Sequence, residues 1–453
     1  MDLPSPAQAF SPEIQFLYGL QSGRTRLGLA STRHLLRLVG SPERDVPVVH
    51  VAGTNGKGST AAYAAAMLES AGLRVGRFTS PHILSVEERI CIDGVPIDPA
   101  EFAGRVRELR PAIERAGASF FESMTAIAAR VFQAARVDAA VYEVGLGGRL
   151  DATNALPATV SVVTSIGHDH ETILGRGLRA VCGEKLGIAR AGVPLHAALT
   201  RPDLVRLARD HCARKRAPFK LLDPGLASVR SIDLGGMRFD LALPGGAGLW
   251  TSFHGAHYAR NAALAALAVA DLLAARGKDE HTNLAAATAR AFLPGRLQVL
   301  PASGTSPRVI LDVAHNPEAL QTTLQVVRAL LGDERPVVVL GMMRDKRLGD
   351  ASKLLDGWAR ELWIVAPRVA RAWEPRRVAA RLRARGGDLV LEVEPDACQA
   401  LSRAMTRATT VLVLGSHYLV GEVLPHLAAM RGVSAQSLLS APAVQPRMPA
   451  PAR

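Results

Sequence analysis

Cysteine is scarce in this 453-residue chain: Cys91, Cys182, Cys212 and Cys398 are its only four, and no two form a C-x-x-C pair. That scatter argues against a disulfide framework and a thiolate zinc site, and fits a reducing cytosol. Long apolar runs are missing too, since none reaches the roughly 18 to 20 residues that a membrane span needs. The opening MDLPSPAQAF has no basic stretch followed by an apolar core, so no signal peptide is expected. A soluble, cytoplasmic protein without a membrane partner is the expectation. Lysine is rare as well. There are seven, so the formal charge of +13 is carried nearly all by arginine, spread along the whole chain. Such a spread reads as compositional habit rather than a nucleic-acid-binding face, and no nucleic-acid partner is expected. The densest basic runs, 206–220 and 368–385, fall on helix-like segments and read as solvated faces. Positive charge near a site would still suit ATP and polyanionic substrates.

What is present is enough apolar residue, 48%, for packed cores, and a length that predicts two domains. The informative stretch is 47–60, PVVHVAGTNGKGST. A short apolar run of the buried parallel-strand type ends in a glycine-rich turn and passes into helix formers, AAYAAAMLESA. Strand, glycine turn and helix N-terminus make an anion cradle, with Lys57 able to reach outer phosphates. A hydroxyl from Ser59 or Thr60 is placed for Mg²⁺. The spacing departs from G-x-x-x-x-G-K-[ST], because the first glycine lies three residues before the second and Gly58 separates Lys57 from the hydroxyls.

Around this core the pattern predicts a helical lead-in over 1–46 and strands over 74–80, 138–144 and 159–166. These end in Ser80, Glu143 and Gly167-His168-Asp169-His170, with helices over 99–116 and 123–135 in between. Polar residues at strand carboxyl ends line the ligand crevice of an open α/β sheet. Glu143 is a sensible Mg²⁺ carboxylate, with a salt-bridged structural glutamate as its competitor, and for His170 ligation and a structural role stand level. Lys185, in GEKLGI, reads by composition as a surface helix residue. Short alternating runs over 219–253 predict a small antiparallel sheet, followed by alanine-rich helices over 257–276 and 282–292. A boundary is expected in PGRLQVLPASGTSP (294–307), and beyond it strands alternate with helices as a second parallel α/β domain. Asp312, His315 and Asn316 stand at a strand end there, with a helix cap competing for Asn316. The Pro/Ala/Ser-rich tail, 434–453, is expected to be disordered.

The motifs HVAGTNGKGST (50–60), FTSPH (78–82), FFESMTAIA (120–128), YEVGLGGRLDATN (142–154), EKLGI (184–188), PGRLQVL (294–300), LDVAHNPEAL (311–320) and GSHYLVGEV (415–423) occur together and in order. In this the sequence resembles the folylpolyglutamate synthases and dihydrofolate synthases of the Mur ligase superfamily. The resemblance implies a P-loop NTPase-like N-terminal domain with a small antiparallel β subdomain (1–297) and a Rossmann-like parallel α/β C-terminal domain (304–433), acting as a monomer. It implies ATP-dependent amide ligation of L-glutamate to dihydropteroate and to tetrahydrofolates and their polyglutamates. A Mur-type ligase acting on another carboxylate and a nucleotide-driven binding protein are the alternatives.

By position, the resemblance makes Thr54, Asn55, Gly56, Lys57, Gly58 and Ser59 phosphate contacts, and Asn261, Arg296 and Asp312 nucleotide contacts. Ser80, Glu143 and His170 would hold Mg²⁺, with Ser59 on a second ion. Lys57, Glu143, His170 and Lys185 would carry the chemistry, Lys185 as N6-carboxylysine. The pterin side would be Arg26, Leu27, Gly28, Ser119, Phe120, Phe121, Glu122, Leu150, Asp151 and Ala152, and the glutamate side His315 and Ser416. Arg26 stands where bacterial bifunctional members carry Asp, Tyr258 replaces a Gln, and His417 replaces an apolar or aromatic residue.

Overall fold

The computed structural model describes residues 11–21, 28–277, 281–346, 348–349, 351–384 and 387–440, in two compact units. The first runs to Ala227 and adds Leu241–Gly245 and His257–Ala287. Its sheet has eight strands: β1 (Val48–Ala52), β2 (Val75–Phe78), β3 (Ile90–Ile92), β4 (Val95–Pro96), β5 (Ala139–Glu143), β6 (Val160–Val163), β7 (Leu195–Ala197) and β8 (Phe219–Leu221), in the order β4-β3-β2-β5-β1-β6-β7-β8. β2, β5, β1, β6, β7 and β8 are parallel, and only the β2–β3 and β3–β4 pairs are antiparallel. β1 is buried along its whole length, His50 included, as a mostly apolar run predicts for a strand covered on both faces.

From β1 the chain crosses past β5 to reach β2, then returns through β5 and on to β6, so the strand order reverses around β1. Pairing of Val51 with Glu143 and of Ala52 with Val163 brings the carboxyl ends of β1, β5 and β6 level. This is where open α/β sheets bind ligands. The helix Lys57–Ser70 packs on β1, β2 and β5 and is buried from Gly58 to Leu68. Its Ala61–Ala66 stretch, interrupted only by Tyr63, lets the helix lie close to the sheet. The helix Phe120–Ala134 starts three residues before its expected first residue, because Ser119 and Glu122 form a capping box. Helix Ala256–Arg276 is long and apolar enough to cross a membrane, yet 67% of its apolar window is buried within the protein.

The second unit holds Ser228–Asp240, Gly246–Ala256 and Thr288 onward. Its small sheet is β9 (Ala227–Asp233), β10 (Gly236–Leu241) and β11 (Leu249–Thr251), in the order β11-β10-β9. β8 fell inside the stretch read as antiparallel, but it continues the large parallel sheet. Leu195–Phe219 pairing with β7 and the buried Leu195 and Ala217 hold it there. The six-stranded sheet comprises β12 (Gln298–Leu300), β13 (Arg308–Asp312), β14 (Val337–Leu340), β15 (Glu361–Ile364), β16 (Val390–Val393) and β17 (Thr410–Leu414), in the order β12-β13-β17-β14-β15-β16. It is parallel except for β12, which runs antiparallel to β13. β12 lies in the segment read as an interruption. A three-residue strand in the five residues between a Pro-Gly turn and another proline leaves no periodicity to detect, and main-chain pairing with β13 makes the strand. Of the expected tail, 434–440 is described, with a short turn at Gln436–Leu439, and 441–453 lie outside the described residues.

Candidate active site

The loop leaving β1 is fixed by its backbone. Gly53 has φ +150°, and a Cβ there would collide with Thr164 Oγ1. Gly56, at φ +86°, caps the helix, so Lys57, Gly58 and Ser59 already form its first turn. The first amides of a helix have no partner within it, which is the donor set an anion cradle requires. The loop is tied to the end of β6 by residues that sequence reasoning did not single out. Thr54 N–H donates to Ser165 O at 2.7 Å, Asn55 N–H to Ser165 Oγ at 3.0 Å, and Thr164 Oγ1 to Asn55 O at 2.7 Å. Two hydroxyl residues directly after an apolar strand were the available signal. Lys57 Nζ folds over the loop onto Thr54 O at 3.2 Å. Ser59 Oγ donates to Gly56 O at 3.1 Å and accepts from Asn261 Nδ2 at 2.9 Å.

At the next strand end Glu143 is buried, and its Oε2 accepts the Ser80 N–H at 3.0 Å. The structure thus brings together Ser80 and Glu143, the end of β2 and the end of β5. His170 has φ +54° at the start of the Glu171–Leu174 turn. Its ring is exposed, with Nε2 3.7 Å from Asp169 Oδ1. Among the described residues no group of three or more His, Cys, Asp or Glu could hold a metal. One buried carboxylate with serine hydroxyls suits a cation that takes few protein oxygens and keeps several waters, as Mg²⁺ does, and not a zinc ion.

Lys185 corrects its surface reading. It is only 5% exposed, and its Nζ donates to Gly53 O at 2.8 Å. Burial first, and the Lys57 charge second, pull its ammonium down to about 7, while Asp169 and Asp151 pull the other way. Sequence composition could not reveal this, because helix Leu178–Leu186 has no strong amphipathic pattern and its buried face is set by the P-loop.

On the expected pterin side, Arg26 and Leu27 lie outside the described residues. Gly28 N–H donates to Leu150 O at 3.4 Å, which joins two of the expected positions. Phe120 stacks on Tyr18 at 5.8 Å, and Phe121 lies 5.7 Å from Phe78 and against Gly145, where a Cβ would come within 2.5 Å of its ring. Ser119 and Glu122 are engaged in capping, Glu122 also accepting from Thr32 Oγ1 at 3.2 Å. Asp151 is buried before Ala152 and caps the turn that begins there. Its carboxylate accepts from Leu146 N–H, Thr153 N–H and Thr153 Oγ1, and burial raises its pKa.

In the second unit Asp312 ends β13 and accepts from Leu297 N–H and Ala314 N–H, both at 2.8 Å. Burial pushes its pKa up while the Arg296 charge opposes this. Asn316 caps helix Pro317–Leu331. Ser416 caps helix His417–Met430 and is buried, and the neighbouring His417 ring lies 5.7 Å from that of His315. Adjacent β13 and β17 carry these two groups to one sheet edge.

A glycine-rich loop at the switch point of a parallel sheet, beside a buried carboxylate and a buried lysine, is a phosphate-binding arrangement, and similarity to known proteins makes the chain an ATP-dependent ligase of the Mur class. Residues 295–417 match the family described as Mur ligase, glutamate ligase domain. The chain is 34% identical over 363 residues to the dihydrofolate synthase/folylpolyglutamate synthase of Bacillus subtilis, covering 77% of this chain and 83% of that one. Among solved structures, E. coli FolC in complex with DHPP and ADP superimposes with a TM-score of 0.81 at 31% identity, covering 94% and 99% of the two chains. A bifunctional folylpolyglutamate synthase/dihydrofolate synthase with Mn, AMPPNP and L-glutamate bound gives 0.78 at 28% identity, covering 95% and 100%. The chain belongs to the dihydrofolate synthase/folylpolyglutamate synthase family, ATP-dependent glutamate ligases of folate metabolism.

Proposed function

We propose that this chain joins L-glutamate to dihydropteroate, and further glutamates to tetrahydrofolate and its polyglutamates, as a cytoplasmic monomer with no nucleic-acid partner. The observation that carries the reading is the convergence of the P-loop, Glu143 and the buried Lys185 on the carboxyl edge of β1, β5 and β6. In the proposed chemistry a carboxylate oxygen of the pterin acid attacks the γ-phosphorus of ATP and ADP departs with the bonding pair. The neutral amine of glutamate then adds to the acyl phosphate carbonyl. The tetrahedral intermediate loses a proton from nitrogen and expels phosphate, leaving the amide.

Residues 1–297 would hold nucleotide and pterin, and 304–433 the glutamate side through His315 and Ser416. Within the P-loop, Lys57 and the amides from Thr54 to Ser59 would hold the phosphates, with Lys57 leaving Thr54 O to follow the charge of the transferred group. Arg296 and Asp312 are assigned to the nucleotide, and Asn261, expected beside them, stands against Ser59 of the P-loop. Mg²⁺, held by Ser80, Glu143 and His170 with Ser59 serving a second ion, would supply charge neutralisation at the phosphates. Gly28, Phe120, Phe121, Leu150 and Ala152 would line the pterin side. Asp151, Ser119 and Glu122, whose side chains are spent on caps, would contribute through the backbone they shape.

Lys185 is assigned as N6-carboxylysine. A neutral amine attacks CO₂ and sheds a proton, and an ammonium depressed to about 7 leaves that amine available near neutrality.

The test is a coupled ADP-release assay with ATP, Mg²⁺ and L-glutamate, comparing dihydropteroate with tetrahydrofolate. Turnover with both, abolished in Lys57→Ala, is expected. Turnover with neither overturns the reading, and turnover with dihydropteroate alone removes its polyglutamate half.

A further inference from the structure

The family resemblance implies that Asn261 touches the nucleotide. Its amide is committed elsewhere. Nδ2 donates to Ser59 Oγ at 2.9 Å across 202 residues of sequence, and both residues are buried. Ser59 in turn donates its hydroxyl proton to Gly56 O at 3.1 Å. A serine hydroxyl has one proton and two lone pairs. Gly56 takes the proton and Asn261 one lone pair, so a single lone pair is left, aimed by two buried partners. Gly56 leaves room for this arrangement. A Cβ there would sit 2.8 Å from Asn261 Nδ2 and 3.0 Å from Oδ1, so the bare backbone at φ +86° lets the amide reach Ser59.

We propose that Asn261 is a positioning residue which acts through Ser59, fixing the hydroxyl rotor so that its remaining lone pair is presented to the hard cation accompanying the nucleotide. This rests on the reading of the P-loop as a nucleotide site and goes beyond it, by moving Asn261 from nucleotide contact to the support of a ligand. A serine free to rotate would spend part of its time presenting its proton to the cation. Holding the rotor removes that loss before the nucleotide arrives.

The experiment is a double-mutant cycle on nucleotide binding, using a fluorescent MANT-ATP probe with Mn²⁺ and again with EDTA. Asn261→Ala and Ser59→Ala are each expected to weaken Mn²⁺-dependent binding about three- to tenfold, the size of one hydrogen bond, and to leave metal-free binding within twofold. The double variant should be no weaker than the worse single, since both remove one interaction. Asn261→Ser is too short to span the gap but keeps a polar group in the buried position. It serves if the alanine variant melts early, and the same metal-linked loss is expected of it. Additive losses in the cycle, or an equal loss with and without metal, overturn the proposal and return Asn261 to direct nucleotide contact. Failure of the unmodified protein to bind the probe at all overturns the nucleotide-site reading, and this proposal with it.

Discussion

A lysine held out of water beside another lysine is an unfavourable place for a full positive charge, and Lys185 answers by losing its proton readily. Desolvation and the Lys57 charge bring its pKa to about 7, far below the ordinary lysine value. The folded state therefore binds fewer protons than the unfolded chain between about pH 7 and about 10.4. Stability should rise with pH across that window and flatten there in Lys185→Met, as urea unfolding at pH 7, 8 and 9 would measure. For activity the sign is the same from below. For the proposed N6-carboxylysine, protonation of the amine as pH falls through about 7 should release CO₂ and lower turnover. Added bicarbonate should raise activity near that pH, and intact-protein mass spectrometry under CO₂ should show one added CO₂ that Lys185→Ala lacks. The variant should lose activity by roughly 10- to 100-fold or more, in line with removal of a group that supports a metal ligand. No response to bicarbonate and no mass change would refute the modification.

Elements in this protein are joined where side chains are absent. The loop from β1 and the end of β6 meet at Gly53 and Thr164, and the strand β5 exit meets the Phe120–Ala134 helix at Gly145 and Phe121. Gly53→Ala must displace Thr164 Oγ1, which also accepts the role of donor to Asn55 O, and it places a Cβ on a positive-φ residue. A loss of at least about 2 kcal/mol in unfolding free energy, together with loss of nucleotide binding, is expected. Gly104, inside helix Pro99–Ala116, has nothing within 4 Å, so Gly104→Ala should be neutral or stabilising by about 0.5–1 kcal/mol. Equal effects of the two substitutions would mean the contact at Gly53 is not what shapes the loop.

At this scale the sequence was legible in proportion to burial. β1, β5, β6 and β13 are mostly apolar runs with few polar interruptions, and the polar residues at their carboxyl ends could be placed from the sequence. β12 and the true start of the Phe120 helix were not legible. One is held by pairing alone and the other by a two-residue cap. Lys185 and the Asn261–Ser59 bond were equally hidden, since both arise from residues far apart in sequence that meet only when the sheet closes around the P-loop.

Several imidazoles lie buried inside a strongly basic molecule, and acid acts on them. His50 in β1 is 1% exposed. Its Nε2 lies 2.8 Å from Thr153 Oγ1, its Nδ1 has no hydrogen-bond partner, and burial lowers its pKa to about 3. His196 in β7 and His254 in the second unit are also buried, and burial lowers both, against the opposing pull of Asp271 on His196. Unfolding releases these rings to an ordinary pKa of about 6.5, so below that pH the unfolded chain binds protons the folded one refuses. Stability is present above about 6.5 and is lost as pH falls, for His50 by about 1.4 kcal/mol per pH unit down towards its folded value of about 3, with His196 and His254 contributing in the same direction. Every proton taken up also adds to a chain already at +13. Because His50 and His196 lie in one unit and His254 in the other, both units should weaken in acid rather than one alone. Urea midpoints at pH 7.5, 6.5 and 5.5 should fall steadily. His50→Gln, which cannot titrate, should fall less steeply by about one proton's worth of slope. Parallel slopes for the two proteins would mean that His50 keeps its proton when folded, and that the acid sensitivity belongs to surface charge instead.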